Sequence, residues 1–310
     1  MKNYFNFNLT GNKLLPIWIL YLVLFMAPYI ALVVKMKSIE PGSNFTFFFF
    51  PSIVLLIVIA FVLTFYIAKL VIENVAFKDK SVVFNGSLGK YIGTVLLGLF
   101  LSIITLGVYM AWFIRNVHRF FINNSSYDSQ PFKFQGKGGK LFVILLLTIF
   151  LPTILLSILM VMFVVANNGV PAPSFMIIQQ LVTMLIMIPY TYLVYKWMID
   201  IDYKDYKIAW ETNFWNSCGK IAVEMVLAII TLGIYMPLAM VRLYKYFADK
   251  TTASKDDGKL RFGYDIQQLN DFLFIWGQTL LTIITLGIYY PWAMCKIGKR
   301  IIGNTYLQEE

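Results

Sequence analysis

Charge is the scarcest ingredient of this chain, and negative charge is scarcer than positive. Only 14% of the 310 residues are charged, with 26 Lys and Arg against 16 Asp and Glu; a soluble domain carries about 25% charge. That deficit excludes an ordinary water-facing surface. Histidine is limited to His118 and cysteine to Cys218 and Cys295. One histidine excludes a His-based metal cluster, and two isolated cysteines in or beside apolar segments argue against a disulfide or a CxxC site. Nucleophile elbows, Walker loops and metalloprotease helices are missing as well. The reading is therefore of a protein that is not an enzyme, with no catalytic residues, no metal and no cofactor.

Apolar residues fill the space that charge leaves, at 59% of the chain. Charge-free runs cover Leu14 to Val34 (21 residues), Pro41 to Ala68 (28), Tyr91 to Ile114 (24), Leu141 to Tyr195 (55) and Phe272 to Cys295 (24). About 20 such residues cross a bilayer as a helix. The 55-residue run is broken by Asn167, Asn168, Gly169, Pro171 and Pro173 and reads as two passes. No ten-residue alternation marks a membrane barrel, and backbone in hydrocarbon must bond to itself. The expected fold is all-α, a polytopic transmembrane helical bundle. The first run is too long for a cleaved leader despite Lys2 and Lys13 before it, so it reads as an anchor.

Self-similarity is the most specific feature. Ile103-Ile104-Thr105-Leu106-Gly107-Val108-Tyr109 recurs as Ile229-Ile230-Thr231-Leu232-Gly233-Ile234-Tyr235 and as Ile283-Ile284-Thr285-Leu286-Gly287-Ile288-Tyr289. Short alternating stubs precede many apolar runs, among them Phe7-x-Leu9-x-Gly11, Val82-x-Phe84-x-Gly86, Phe132-x-Phe134-x-Gly136, Ile208-x-Trp210 and Leu260-x-Phe262. The spacing of the two patterns divides the chain into a first repeat at 5–124, a second at 132–250 and a partial third at 258–304, which holds the motif segment alone. The stubs suit small strands at the membrane surface.

These segments resemble the YjgN family of bacterial inner-membrane proteins, marked by Thr-Leu-Gly-Ile-Tyr-x-Pro-Trp-Ala after an apolar helix. Thr285 to Ala293 matches in full, whereas the first copy has Ala111 for the proline and the second Leu238 for the tryptophan. The resemblance implies a multi-pass inner-membrane location and no activity.

Charge decides the path of the motif segments. If each crosses once, Lys and Arg divide 12 to 14 between the two sides; if each turns back, 24 of the 26 share one side and only Lys35 and Lys37 face the other. Positive residues favour the cytoplasm, so the second arrangement is expected, with the N-terminal segment and most loops cytoplasmic. Gly107, Gly233 and Gly287 then become apices of three helix-Gly-helix hairpins, glycine ending one helix and Pro237 or Pro291 opening the next.

Arg115 and Arg119, Arg242 and Lys245, and Lys296, Lys299 and Arg300 follow the apices at helical spacing. They are candidates for anion or lipid-headgroup contacts, against the plainer reading of side chains snorkelling to the interface. Glu224 is an acid inside an apolar segment, with Gln278 and Gly98 at the matching positions; it is a candidate intramembrane polar site, or simply the partner of Lys220 one turn earlier. His118, between two arginines, reads as interfacial. A net charge of +10 beside membrane segments points to anionic lipid on the cytoplasmic side, not to nucleic acid. Two functions compete: transport of a small solute or ion, favoured by interrupted helices and Glu224, and a non-catalytic lipid-binding or membrane-organising role, favoured by the basic arms.

Overall fold

Among the described residues the long apolar runs form helix, and the polar linkers between them form β-strands paired as hairpins. The computed structural model describes residues 1–36, 45–167, 173–256 and 258–309; Lys37 and most of the predicted break at 167–173 lie outside them. Among the described residues the helices are α1 (Gly11–Met36), α2 (Phe45–Glu73), α3 (Leu88–Ile104), α4 (Met110–Asn123), α5 (Gly138–Ala166), α6 (Pro173–Met198), α7 (Phe214–Ile230), α8 (Met236–Asp249), α9 (Gln268–Ile284) and α10 (Tyr290–Gly303). Consecutive helices pair as five antiparallel hairpins, and each hairpin packs on the next, with α10 of the fifth returning to α1 of the first.

The strands are β1 (Asn3–Phe7), β2 (Val75–Phe77), β3 (Lys80–Ser81), β4 (Val83–Phe84), β5 (Ser125–Tyr127), β6 (Gln130–Phe134), β7 (Ile201–Tyr203), β8 (Tyr206–Trp210), β9 (Thr251–Lys255), β10 (Gly258–Tyr264) and β11 (Thr305–Glu309). They form one antiparallel sheet in the order β3-β2-β1-β11-β10-β9-β8-β7-β6-β5-β4. Its two ends, β3 and β4, are separated only by Val82, so the sheet curls into a nearly closed barrel. The expectation of an all-α bundle is thus wrong. The reason is physical: stubs of two to seven residues carry too little hydropathy to stand out beside the helical runs, yet pairing end to end they satisfy one another's backbone and leave no long open edge.

The same backbone bond recurs at each junction. Asn8 N–H donates to Asn74 O (2.9 Å), Asn85 to Asn124 O (2.8 Å), Gln135 to Asp200 O (2.8 Å), Glu211 to Lys250 O (2.9 Å) and Asp265 to Asn304 O (3.0 Å). Each bond ties the strand that enters a helical hairpin to the strand that leaves it. Between hairpins the chain reverses tightly, through Lys78-Asp79 (φ 45° and 62°) and Asp128-Ser129 (φ 50° and 60°), paired left-handed residues that match the twist of a strand pair.

Aromatic rings occupy the concave face of the barrel. Phe5 meets Phe262 at 6.1 Å and Tyr127 meets Tyr203 at 6.1 Å, although a strand intervenes in each case. Rings two strands apart touch only where the sheet curves toward them.

Four helical segments, Gly11–Met36, Pro51–Glu73, Gly138–Ala166 and Met176–Met198, are long and apolar enough to cross a membrane. The motif helices are shorter. The 17 residues of α3 rise about 25 Å, against about 30 Å of hydrocarbon. Two long arms each contain a wide π turn, beginning at Leu22 in α1 and at Leu146 in α5. Ala27 N–H donates to Leu22 O just before Pro28, and Leu151 N–H to Leu146 O just before Pro152. A proline ring collides with the carbonyl four residues back, and the wider turn makes room for it.

Candidate functional site

The three motif turns are built alike, residue by residue. Gly107 N–H donates to Ser102 O (2.7 Å) and Leu106 N–H to Ile103 O (3.1 Å), the paired bonds that close a helix C-terminus. The residue in the left-handed conformation is the leucine, at φ 49°, 49° and 50° for Leu106, Leu232 and Leu286, while the glycines follow at φ 90°, 86° and 86°. A leucine there costs about 1–2 kcal/mol. Its side chain gains no protein contact, for these leucines are 94%, 93% and 91% exposed and stand beside exposed Ile103–Ile104, Ile229–Ile230 and Ile283–Ile284. Glycine was expected to end the helix alone; it is the second of two left-handed residues.

Threonine staples each turn. Thr105 Oγ1 donates to Leu101 O (2.7 Å) and accepts from Tyr109 N (2.9 Å). Thr231 and Thr285 repeat both bonds at 2.8 and 3.0 Å. The staple fixes the tyrosine four residues on, whose hydroxyl reaches back across the hairpin.

In the fourth hairpin the Tyr235 hydroxyl donates to Glu224 Oε2 (2.7 Å) and accepts from Arg242 (2.6 Å). Glu224 is fully buried; its Oε1 receives Lys220 Nζ at 2.7 Å, with Arg242 Nε at 3.7 Å. Pairing with Lys220, the plainer reading of Glu224, is therefore what the geometry contains, and Arg242 and Tyr235 complete the set. Such a cluster satisfies the desolvated carboxylate from three sides. The fifth hairpin repeats the arrangement without charge on the acceptor, as Tyr289 OH donates to Gln278 Oε1 (3.0 Å) and accepts from Lys296 Nζ (2.8 Å).

The second hairpin lacks the acceptor. Gly98 stands at that position, and the Phe113 ring occupies the space a Cβ would need. The residues matching Phe113 are Ala239 and Ala293, so a side chain on one arm exchanges for space on the other. Asn116 takes the place of Arg242 and Lys296, and its Nδ2 lies 3.4 Å from Tyr109 OH.

The remaining candidate cations divide into tied and untied. Arg115 donates to Gly136 O (3.3 Å) and to Asn116 Oδ1 (3.0 Å). Lys245 meets Asp249 (2.7 Å) and Tyr264 O (3.1 Å). Arg300 pairs with buried Asp271 at 2.6 Å, whose other oxygen accepts from Gln267 N–H and Tyr264 OH. Arg119 and Lys299 make no hydrogen bond or ion pair among the described residues. Counted from the glycines, Arg119, Lys245 and Lys299 share one position, twelve residues on, whereas Arg115 matches Val241 and Cys295. Lys69 holds the same place in the first hairpin, five residues before the junction carbonyl of Asn74, and Tyr195 does so in the third.

His118 lies between hairpins, its Nε2 3.2 Å from Met198 O and its ring against Phe134 and Trp197. Trp112 and Trp292 are joints of the ring as well, each packed over the first glycine of the next hairpin, Gly138 and Gly11. The role of the tyrosines was missed by sequence reasoning, which read them as the ends of the recurring motif. The readable signal was the joint exchange of Gly98, Glu224 and Gln278 with Phe113, Ala239 and Ala293. Asp271 was also missed, for it stands at the edge of an apolar run.

A family model described as "Bacterial protein of unknown function (DUF898)" matches residues 2–268, and the chain belongs to that family. Its description, like the resemblance drawn from the motif segments, carries no activity, and the YjgN name is not part of it. No curated protein and no solved structure matches the chain.

Proposed function

We propose that this family member is a non-catalytic protein of the bacterial inner membrane that holds anionic lipid headgroups at the cytoplasmic interface. One observation carries the reading: four of the five hairpins place a cation at the same step above the barrel, Lys69, Arg119, Lys245 and Lys299. The barrel-side helix ends also carry Lys13, Lys90, Lys140 and Lys196, whereas the opposite ends of the described helices carry only Lys35. Positive charge marks the cytoplasmic side, so the barrel belongs in the cytoplasm and the leucine tips point into the bilayer. A basic residue beside an anionic leaflet contributes about 1 kcal/mol, and several at one level reinforce one another.

The test is which lipids stay with the protein. Membranes containing both phosphatidylglycerol and phosphatidylcholine are solubilised, the purified protein is washed in detergent, and the retained lipid is quantified by thin-layer chromatography. Enrichment of the anionic lipid supports the reading, and retention in proportion to the membrane composition contradicts it.

Transport of a small solute or ion is the second reading, and buried Glu224 is the observation that favours it. Solute uptake into proteoliposomes that falls with Glu224→Gln would make transport the better account.

A further inference from the structure

Tyr109 is the motif tyrosine whose hydroxyl has a donor, Asn116 Nδ2, but no acceptor among the described residues. Its counterparts show what is missing: Tyr235 donates to a carboxylate and Tyr289 to an amide oxygen. A cleft of about 360 Å³ opens between α3 and α4, lined by Thr94, Gly98, Tyr109, Asn116, Arg119 and Asn123 among others. Arg119 brings an untied positive charge to it. Asn116 is held by Arg115, which donates to its Oδ1 at 3.0 Å and so turns its NH₂ group toward the Tyr109 hydroxyl. Of the groups that hold an acceptor in the fourth hairpin, the tyrosine is therefore kept here, Asn116 replaces Arg242 as its donor and Thr94 replaces Lys220, while Gly98 provides no acceptor and the nearby positive charge comes from Arg119 instead.

We propose that the α3–α4 cleft binds a phosphate oxyanion in the role that the Glu224 carboxylate plays in the fourth hairpin. The Tyr109 hydroxyl and the Asn116 NH₂ donate to its oxygens, and Arg119 balances its charge. A tetrahedral oxyanion suits several donors converging from two helices, and a charged partner strengthens each bond. The inference rests on the anion-binding reading above and names one site within it. Lipid phosphodiester and free phosphate offer the same oxygens, so the test has an arm for each.

In the first arm, detergent-purified protein is titrated calorimetrically with inorganic phosphate. In the second, native mass spectrometry counts phosphatidylglycerol and phosphatidylcholine bound after release from mixed nanodiscs. Wild type is compared with Arg119→Gln, with Lys299→Gln as the matching change in the fifth hairpin, and with the double variant Gly98→Glu/Phe113→Ala. That pair rebuilds the fourth-hairpin pattern and supplies an internal carboxylate. Arg119 is exposed, so its replacement leaves packing intact even should the double variant fail to fold. Binding that weakens about tenfold or more in Arg119→Gln and in the double variant, while Lys299→Gln binds as wild type does, supports the cleft. The arm in which this occurs identifies the source of the phosphate. Equal losses in Arg119→Gln and Lys299→Gln, with anionic lipid still preferred, overturn the cleft and leave the headgroup reading standing. No preference for anionic lipid in wild type, together with no phosphate binding, overturns both.

Discussion

Each residue of the Thr-Leu-Gly-x-Tyr motif has a separate mechanical task. Threonine closes the turn with two hydrogen bonds, leucine and glycine carry the chain through two left-handed conformations, and tyrosine spans the hairpin. Nothing lies within 4 Å of a Cβ added at Gly107, so Gly107→Ala tests backbone strain alone. It should cost about 1–2 kcal/mol. Thr105→Val keeps the shape but strands the Tyr109 N–H, for a similar loss of about 1–3 kcal/mol, and Thr105→Ser should recover most of it. Thermal unfolding of the three variants in one detergent checks both expectations; a Val variant as stable as wild type would remove the staple from the account. The recurrence of the motif was plain in the sequence, whereas the leucine's left-handed backbone was not. Glycine is the residue expected there, and only the presence of two consecutive positive φ angles shifts the first onto leucine.

At the scale of elements, the hairpin was legible because charge and chain reversal agree: a basic residue twelve positions after the glycine returns the second arm to the side from which the first began. The strands were legible as alternating stubs but not as a barrel. Two-residue pairings such as Phe84 with Ser125 and Val83 with Ser126 have no signature of their own. They depend on the helical hairpins to bring their ends together. Asp128 reports on this layer, because hydrogen bonds from Lys80 and Lys204 hold its carboxyl below the ordinary aspartate value. A lowered value in the fold means stabilisation that is present above the unfolded pKa and lost as acid carries the pH down through the folded one. Protection of the amides across Ser125–Phe134, taken relative to their intrinsic exchange rate at each pH, should therefore fall on acidification below about pH 4, and Asp128→Asn should already show less protection at neutral pH. Exchange in the Asn variant equal to wild type at neutral pH would show that the pair does not hold the turn.

The whole molecule is a ring, and its closure was the least readable feature. β1 pairs with β11 through Asn3 opposite Leu307 and Tyr4 opposite Tyr306, about as distant in sequence as the chain permits. Trp292 of the last hairpin covers Gly11 of the first, and its Nε1 donates to Asn12 (3.0 Å). Such contacts follow from the five hairpins being set side by side, not from any local pattern. Closure also gives the cations their arrangement, since side chains at equivalent steps of successive hairpins share one level above the barrel. We propose this level as the place where anionic headgroups bind. Native mass spectrometry of wild type and of a variant with Lys69, Arg119, Lys245 and Lys299 all changed to Gln, released from equal mixtures of phosphatidylglycerol and phosphatidylcholine, tests it most directly. Wild type should carry several bound phosphatidylglycerol molecules and the variant should lose that preference; the same anionic preference in both proteins would rule out these four cations as the headgroup site.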